Sequence, residues 1–275
     1  CYNSGMKRAS DLFVECLENE GVRHVFGVAG EENLDLMKSI QKSTQIEFIA
    51  PRHEQAAAFM ADVCGRLTGR AGVCMSTLGP GAMNLITGVA DAFSDYAPLV
   101  AISAQADLTR QHKESHQYLD LRATFRPITK WSASIVTPDI IPEVVRKAFK
   151  IAETPKQGAT FIEFPEDVEE AQVGAKLKPL PRVEKEALAI DCETLRHAAA
   201  LIEQSKVPVL LVGNGVIRAG ATDAVRAFVE KTKIPVANTF MAKGVVPARS
   251  EHSIGTIGLQ ARDYVRCAFD AADFI

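Results

Sequence analysis

The sequence lacks long apolar runs and an excess of charge of either sign. Its longest apolar stretches, such as Val207 to Val212, have the length of a strand and are far shorter than the roughly 20 residues of a membrane-spanning helix. The chain has 34 acidic and 31 basic residues and a net charge of −3. Because no basic surplus favours nucleic acid or an anionic membrane, we expect neither partner.

Metal-binding and hydrolase motifs are also missing. The histidines form no HExxH or other zinc spacing, and the cysteines form no CxxC pair. Ser76 and Ser103 stand outside any G-x-S-x-G pattern, so a hydrolase triad is not supported. We therefore predict no metal site, and reduced thiols as in cytoplasmic proteins, at the six cysteines: Cys1, Cys16, Cys64, Cys74, Cys192 and Cys267.

Short apolar runs alternate with helical stretches along the 275 residues. Strands apolar on both faces predict an α/β fold with a parallel sheet covered by helices. Residues 169–186 are charged, contain prolines and show no periodicity. We predict a first domain over 1–168, a linker over 169–190 and part of a second, Rossmann-like α/β domain over 191–275. The last residues, "AFDAADFI", resemble the start of another buried strand, so we expect a fragment.

Glu54 stands between an apolar run and an alanine-rich helix predicted over 54–68, within "RHEQAAAFM". A carboxylate in the first turn of a helix is common, because the helix dipole stabilises it. A glutamate shielded from water by such apolar neighbours can instead keep a proton and donate it to a ligand. The residue pattern alone leaves both interpretations open.

Two further segments have the composition of binding loops. "TLGPGAMN", residues 77–84, joins a strand to a helix, and its glycines permit either a tight turn or close approach of a ligand to backbone N–H groups. Gln117 lies in the polar loop "RQHKESHQYLD", which is either solvated or part of a site. "GNGVIRAG", residues 213–220, lacks the G-x-G-x-x-G spacing, which favours a structural turn over a nucleotide site.

The order of several blocks resembles that of a known family. The blocks are "VFGVAG", "RHEQAAAFMADVCGRLTG", "MSTLGPGAMNLITGVADAFSDYAPLVAISAQ" and "RPITKW". They resemble the N-terminal, pyrimidine-binding domain of thiamine diphosphate enzymes, above all the acetolactate synthase (acetohydroxyacid synthase) large-subunit group. The likeness is strong over residues 7–168, and "VPVLLVGNGV" and "TFMAKGVVP" resemble the start of the family's central domain.

This resemblance gives Glu54 a chemical role. It matches the glutamate that bonds N1′ of the aminopyrimidine and so favours the 4′-imino tautomer, which deprotonates the thiazolium. The family then decarboxylates a 2-oxo acid, with pyruvate expected here, and joins the product to a second 2-oxo acid. The resemblance implies a cytoplasmic enzyme of branched-chain amino acid biosynthesis.

The resemblance also assigns further site residues. Gln117 matches the family's active-site glutamine near the substrate, and the residues matched to the cofactor site are Gly30, Glu31, Thr77, Gly79, Pro80, Gly81 and Asn84. The departures are Ala29, where proline is usual; Glu31, where the family has a second glycine; Cys64, where tyrosine is frequent; and His116 and Tyr118, which flank the glutamine in place of Phe and Glu. These departures concern the acceptor substrate rather than the superfamily.

The implied cofactors are thiamine diphosphate and Mg²⁺, the latter held by a Gly-Asp-Gly…Asn motif of a C-terminal domain that does not occur before Ile275. FAD binding in the central domain stays open. The implied assembly is a homodimer or homotetramer, because this glutamate reaches cofactor held by a partner subunit. The chain alone is therefore expected to be inactive.

The sequence leaves two alternative functions open. One keeps the cofactor but changes the reaction: a decarboxylase of a bulkier 2-oxo acid, a sulfoacetaldehyde-type acetyltransferase or an oxalyl-CoA decarboxylase. A glyoxylate carboligase is disfavoured, since that type lacks the glutamate found at Glu54. The other alternative is a truncated subunit without catalytic activity.

Overall fold

A computed structural model describes residues 6–113, 115–182, 190–258 and 265–275. The chain divides into two compact units, Cys1–Lys185 and Glu186–Ile275. The strands of the first unit, β1 to β8, are Met6–Arg8, His24–Gly27, Glu47–Ile49, Gly72–Ser76, Leu99–Gln105, Trp131–Ser134, Ala159–Pro165 and Gln172–Gly174. Its helices, α1 to α7, are Ala9–Asn19, Leu34–Lys42, Glu54–Thr68, Pro80–Ser94, Leu121–Phe125, Ile141–Glu153 and Glu166–Glu170.

Six strands of the first unit form one parallel sheet in the order β3-β2-β4-β5-β7-β6. Every residue of β4, β5 and β7 is buried, as expected for strands covered by helices on both faces. One face packs against α1, α2 and α6 through side chains such as Phe13, Leu36 and Phe149. The other packs against α3, α4 and α5 through Ala58, Leu85 and Phe125. The predicted α/β fold with a helix-covered parallel sheet is confirmed.

The alanine-rich sequence of α3 reflects an unusually close approach to its neighbours. A Cβ atom at Gly88 of α4 would lie 2.6 Å from the Cβ of Ala58, and one at Gly65 of α3 would lie 2.2 Å from the carbonyl oxygen of Pro98. Both distances are shorter than van der Waals contact allows. The small side chains therefore let α3 and α4 pack almost backbone to backbone.

The linker cannot begin at residue 169 as predicted. Glu169 is buried within α7, and β8 pairs antiparallel with β1 at the start of the chain. Elements of three to five residues are too short to show periodicity. The sequence of this stretch therefore gives no sign of α7 and β8 and resembles a linker. Residues 183–189, the centre of that prediction, lie outside the described residues.

The second unit has a three-stranded parallel sheet in the order β11-β10-β9. Its strands β9 to β11 are Leu210–Val212, Val236–Asn238 and Ser253–Thr256, and its helices α8 to α11 are Cys192–Gln204, Asn214–Arg218, Thr222–Thr232 and Arg266–Ala271. Val212, Val229 and Val236 contribute to its core. Across the described parts of both units, the helices are too short or too polar to cross a bilayer.

Candidate functional site

The sheet of the first unit reverses its winding direction between β2 and β4. From β2 the chain moves outward to β3, and from β4 it continues to β5 on the other side. The loops that follow β2 and β4 therefore diverge at the carboxyl edge of the sheet, which is where open α/β folds bind ligands. Gly30 follows β2 and Thr77 follows β4, and a Cβ atom at Gly30 would lie 2.5 Å from the Cβ of Thr77. Two predicted site residues thus meet at this crevice.

The turn after β2 is held by two side chains that sequence reasoning missed. The backbone N–H of Gly30 donates to Oδ1 of Asn33 at 2.9 Å, and Nδ2 of Asn33 donates to the carbonyl of Val28 at 3.2 Å. Across the crevice, the hydroxyl of Thr77 donates to the Glu32 carboxylate at 2.7 Å. Glu31, the predicted cofactor contact in this turn, is exposed.

Glu54 is the first residue of α3 and is half-buried at the same edge of the sheet. The preceding His53 caps the helix, because its Nδ1 accepts from the backbone N–H of Gln55 at 3.1 Å. Nδ2 of Asn84, on α4, donates to Oε2 of Glu54 at 3.0 Å. The structure thus brings together two predicted site residues and supplies a polar neighbour that the apolar surroundings of Glu54 in the sequence did not suggest.

Gly81 leaves open space beside the second carboxylate oxygen of Glu54. A Cβ atom at Gly81 would lie 2.9 Å from Cγ2 of Thr77 and 3.4 Å from Oε1 of Glu54. No hydrogen bond reaches Oε1 from the described residues, whereas Oε2 is taken by Asn84. Pro80 occupies the first turn of α4, where its missing N–H costs nothing. The carboxylate therefore has one fixed oxygen and one free oxygen.

Gly79 and Gln117 contact each other although 38 positions separate them in the sequence. A Cβ atom at Gly79 would lie 2.3 Å from the carbonyl oxygen of Gln117. Both residues have a positive φ, 52° at Gly79 and 58° at Gln117. Glycine adopts such a φ without strain, whereas in Gln117 it is a strained conformation of the kind that concentrates at functional sites. The exposed side chain of Gln117 thus belongs to a segment that borders the glycine loop.

The buried ends of β4 and β5 support the Thr77 backbone. The hydroxyls of Ser76 and Ser103 each donate to the Thr77 carbonyl oxygen at 2.9 Å. Sequence reasoning considered these serines only as nucleophiles. Their buried positions, at the last residue of β4 and near the end of β5, were the available signal, since a buried hydroxyl needs a partner.

The remaining candidate segment, residues 213–220, contains the short helix α9 of the second unit. Gly213 precedes α9 with extended backbone, and a Cβ atom at Gly213 or Gly215 would meet nothing within 4 Å. Only Gly220, with a φ of 63°, needs glycine for its conformation. Within the described residues, no group of three or more His, Cys, Asp and Glu side chains could hold a metal ion.

Comparison with known proteins identifies the family. The "thiamine pyrophosphate enzyme, N-terminal TPP binding domain" matches residues 7–124, and the "thiamine pyrophosphate enzyme, central domain" matches residues 195–275. The chain therefore belongs to the thiamine pyrophosphate enzyme family, as the resemblance predicted. The N-terminal match includes every predicted site residue.

Among its relatives are proteins named as acetolactate synthases. The chain is 35% identical over 274 residues to the probable acetolactate synthase large subunit of Methanocaldococcus jannaschii, covering 98% of this chain and 46% of the relative. It is 39% identical over 253 residues to the acetolactate synthase of Bacillus subtilis, covering 92% and 44%. For acetolactate synthase isozyme 1 large subunit of Escherichia coli the values are 35% over 266 residues, covering 97% and 47%. The chain thus spans less than half the length of the curated relatives it matches.

Proposed function

We propose that this chain is the N-terminal part of an acetolactate synthase-type large subunit. The complete cytoplasmic protein would decarboxylate a 2-oxo acid, with pyruvate as the expected donor, and join the remaining two-carbon unit to a second 2-oxo acid. The names and identities of the relatives support this reaction over the other thiamine diphosphate-dependent ones. The observation that carries the proposal is the Glu54 carboxylate, with one oxygen fixed by Asn84 and the other free beside Gly81.

The residues at the crevice fit the edge of an aminopyrimidine ring. Gly30, Gly79 and Gly81 keep side chains away from the loops after β2 and β4, so a flat ring can approach the backbone. The free Oε1 of Glu54 offers the ring a single acid–base group. When bound, thiamine diphosphate supplies the electron sink on which a 2-oxo acid loses carbon dioxide.

Glu54 controls a proton at one defined atom in this proposal. The Asn84 Nδ2 group can only donate, so Oε2 of Glu54 must accept its hydrogen bond. A proton shared between the carboxyl group and a ligand is therefore left to Oε1. Oε1 can therefore hold a proton against a ring nitrogen and release it within the same hydrogen bond. Asn84 is thus a positioning residue for the carboxylate, while Gln117 presents its amide to the substrate from the segment beside Gly79.

Thiamine diphosphate would be bound together with a magnesium ion. Mg²⁺ would bind outside the described residues of this chain, with the diphosphate of the cofactor, because those residues gather no suitable set of ligands. FAD is a further candidate cofactor, which would bind in the central domain.

A homodimer is the assembly we propose, with a homotetramer as the larger form. Met60, Val63 and Leu67 of α3 are spaced by three and four residues and therefore share one helix face, yet they are 41%, 48% and 82% exposed. This apolar face belongs to the helix that begins with Glu54, so a second copy that covers it would approach the site. We expect Val63→Asp to reduce the sedimenting mass of the complete protein, and Val136→Asp, at an exposed position after β6, to leave it unchanged.

The assay of the complete protein tests the reaction directly. With pyruvate, thiamine diphosphate and Mg²⁺ we expect acetolactate, and we expect Glu54→Gln to lower kcat at least about 100-fold. The control is Glu47→Gln, on the exposed edge strand β3, which should retain full activity. Both variants should give the wild-type circular dichroism spectrum.

The products decide between the proposal and its alternatives. Free aldehyde from a bulkier 2-oxo acid, without carboligation, would indicate a decarboxylase. Turnover of sulfoacetaldehyde or oxalyl-CoA would indicate the other two reactions. Failure of the complete, folded protein to bind thiamine diphosphate in isothermal titration would instead indicate a subunit without catalytic activity.

A further inference from the structure

A buried side-chain bridge lies beneath the segment that carries Gln117. Gln105, the last residue of β5, is fully buried, and Glu163 on β7 is 5% exposed. Nε2 of Gln105 donates to the carbonyl oxygen of Leu119 at 3.0 Å and to Oε2 of Glu163 at 3.1 Å. The bridge thus runs from the sheet to a loop residue two positions beyond Gln117.

The bridge leaves the Gln105 side chain fully satisfied. Its Nε2 group uses both donors, and its Oε1 accepts from the backbone N–H of Ala106 at 3.0 Å. Burying an amide is costly unless such partners exist, so an apolar residue would be the simpler choice at the end of a largely apolar strand. Glu163 also accepts a hydrogen bond from Ser134, and burial raises the pKa of its carboxyl group.

The segment around Gln117 is therefore fixed from two sides. On one side the Gln117 backbone abuts Gly79, where a Cβ atom would lie 2.3 Å from the Gln117 carbonyl oxygen. On the other side the Leu119 carbonyl is bound by Gln105. We propose that Gln105 and Glu163 are positioning residues that hold Gln117 in its left-handed conformation beside the glycine loop.

Other contacts tie the same loop to the residues that follow β7. The backbone N–H of Leu108 donates to Oδ1 of Asp167 at 3.2 Å, and Arg110 forms an ion pair with Glu166. Nε2 of Gln111 donates back to the Ala106 carbonyl at 2.9 Å. These bonds hold the beginning of the loop, whereas the Gln105 bridge holds the part next to Gln117.

The inference rests on the proposed function for its catalytic consequence, but its structural part can be measured without cofactor. Hydrogen exchange in the complete protein measures how firmly the segment is held, at two hydrogen-bonded backbone amides. Tyr118 N–H donates to the Ser115 carbonyl at 3.1 Å, and Leu121 N–H donates to the Leu119 carbonyl at 2.8 Å. We expect Gln105→Met to speed exchange of both amides at least tenfold and to leave the amides of α6 unchanged.

The matched control is Gln157→Met. Gln157 is also a buried glutamine that donates to a loop carbonyl, that of Gly69 at 3.2 Å, but it lies at the amino edge of the sheet. The Gln157→Met variant should alter neither the exchange near Gln117 nor the kcat for pyruvate.

Glu163→Gln keeps an acceptor for Gln105 and should preserve both the exchange rates and kcat. Gln105→Met, in contrast, should lower kcat at least tenfold with a smaller change in KM.

The outcomes separate the inference from the proposed function. Unchanged exchange at Tyr118 and Leu121 in Gln105→Met would overturn the inference, as would full kcat in that variant when Gln117→Ala is inactive. A fully active Gln117→Ala variant would overturn the proposed role of Gln117, while the exchange data would still decide whether the bridge holds the segment. If Gln105→Met does not fold, Gln105→Asn, whose shorter amide cannot reach both partners, is judged by the same criteria.

Discussion

The side-chain amide of Asn84 donates a hydrogen bond of 3.0 Å to Oε2 of Glu54. The two residues lie near the N-terminal ends of α4 and α3, two helices whose close packing depends on small side chains. An acid–base group works best when its orientation is fixed before the ligand arrives. The alanines and glycines of α3 and α4 therefore contribute to the site, although they bear no chemistry.

Replacing Asn84 should separate orientation from charge. We expect Asn84→Ala to lower kcat about 10- to 100-fold, because a hydrogen bond to a charged group contributes about 1.5–3 kcal/mol. Asn84→Asp should lower it further, since a second carboxylate repels the first. Steady-state kinetics of the complete protein measure both variants. Equal activity of the two, or activity at the wild-type level, would contradict the assigned role of Asn84.

The contact between Gly79 and Gln117 predicts an intolerance to any side chain. Gly79→Ala should destabilise the first unit by at least about 2 kcal/mol, from a strained positive φ and a clash with a backbone carbonyl. Urea unfolding followed by circular dichroism measures this cost. Gly174→Ala is the control, because a Cβ atom there would meet nothing within 4 Å. Equal stability of the two variants would show that the Gln117 segment moves away easily.

Arg66 of α3 contacts three carboxylates, one on α3, one on α4 and one just after α4. Its guanidinium nitrogens lie 2.9 Å from Asp62 and 2.8 Å from both Asp91 and Asp95, and burial raises the pKa of Asp62 even beside this arginine. Arg66→Met should cost about 3 kcal/mol at pH 7, because it leaves a buried charge without compensation.

The pH dependence of that cost distinguishes charge from packing. As the pH falls toward 4 the buried, unpaired Asp62, whose pKa burial raises, takes up a proton, so the loss of stability in Arg66→Met should shrink. Arg70→Met, at an exposed position just after α3, serves as the control. A loss that is the same at pH 4 and pH 7 would assign the effect to the packing of the arginine side chain.

The sequence was sufficient to predict those parts of the fold that depend on local pattern. The unbroken apolar runs of β4 and β5 indicated a covered parallel sheet, and the alanine-rich stretch predicted helix 54–68 as observed. Gly30, Thr77 and Glu54 follow successive strands, so their place at one edge of the sheet follows from parallel topology.

The local sequence pattern did not predict the long-range contacts. The contact of Gly79 with Gln117 and the bridge of Gln105 to Leu119 depend on the path of a polar loop, which periodicity does not determine. The start of the linker was placed too early for a related reason, because β8 is stabilised by pairing with β1 at the other end of the unit. Asn33 gave no signal since its partners are backbone groups of its own turn.

A buried carboxyl group at the opposite edge of the unit makes stability depend on pH. Glu20, just after α1, lies 2.7 Å from Nη1 of Arg146 on α6 and is 5% exposed. Burial raises the pKa of Glu20 to about 7, with Arg146 opposing the shift and Glu153 adding to it. The folded state thus binds this proton more tightly than the unfolded chain, whose glutamates have a pKa of about 4.3.

The sign of the linkage follows from this difference. Between about pH 4.3 and 7 the unfolded chain has released the proton and the folded protein retains it, so folding loses stability as the pH rises through this window and the loss levels off above it. Between pH 4.5 and 8 the free energy of unfolding of the wild type should fall by up to about 3 kcal/mol relative to that of Glu20→Gln. Urea unfolding at the two pH values measures it, with Glu143→Gln, at an exposed position on α6, as control. A difference that is constant with pH would mean that Arg146 keeps Glu20 ionised throughout the range.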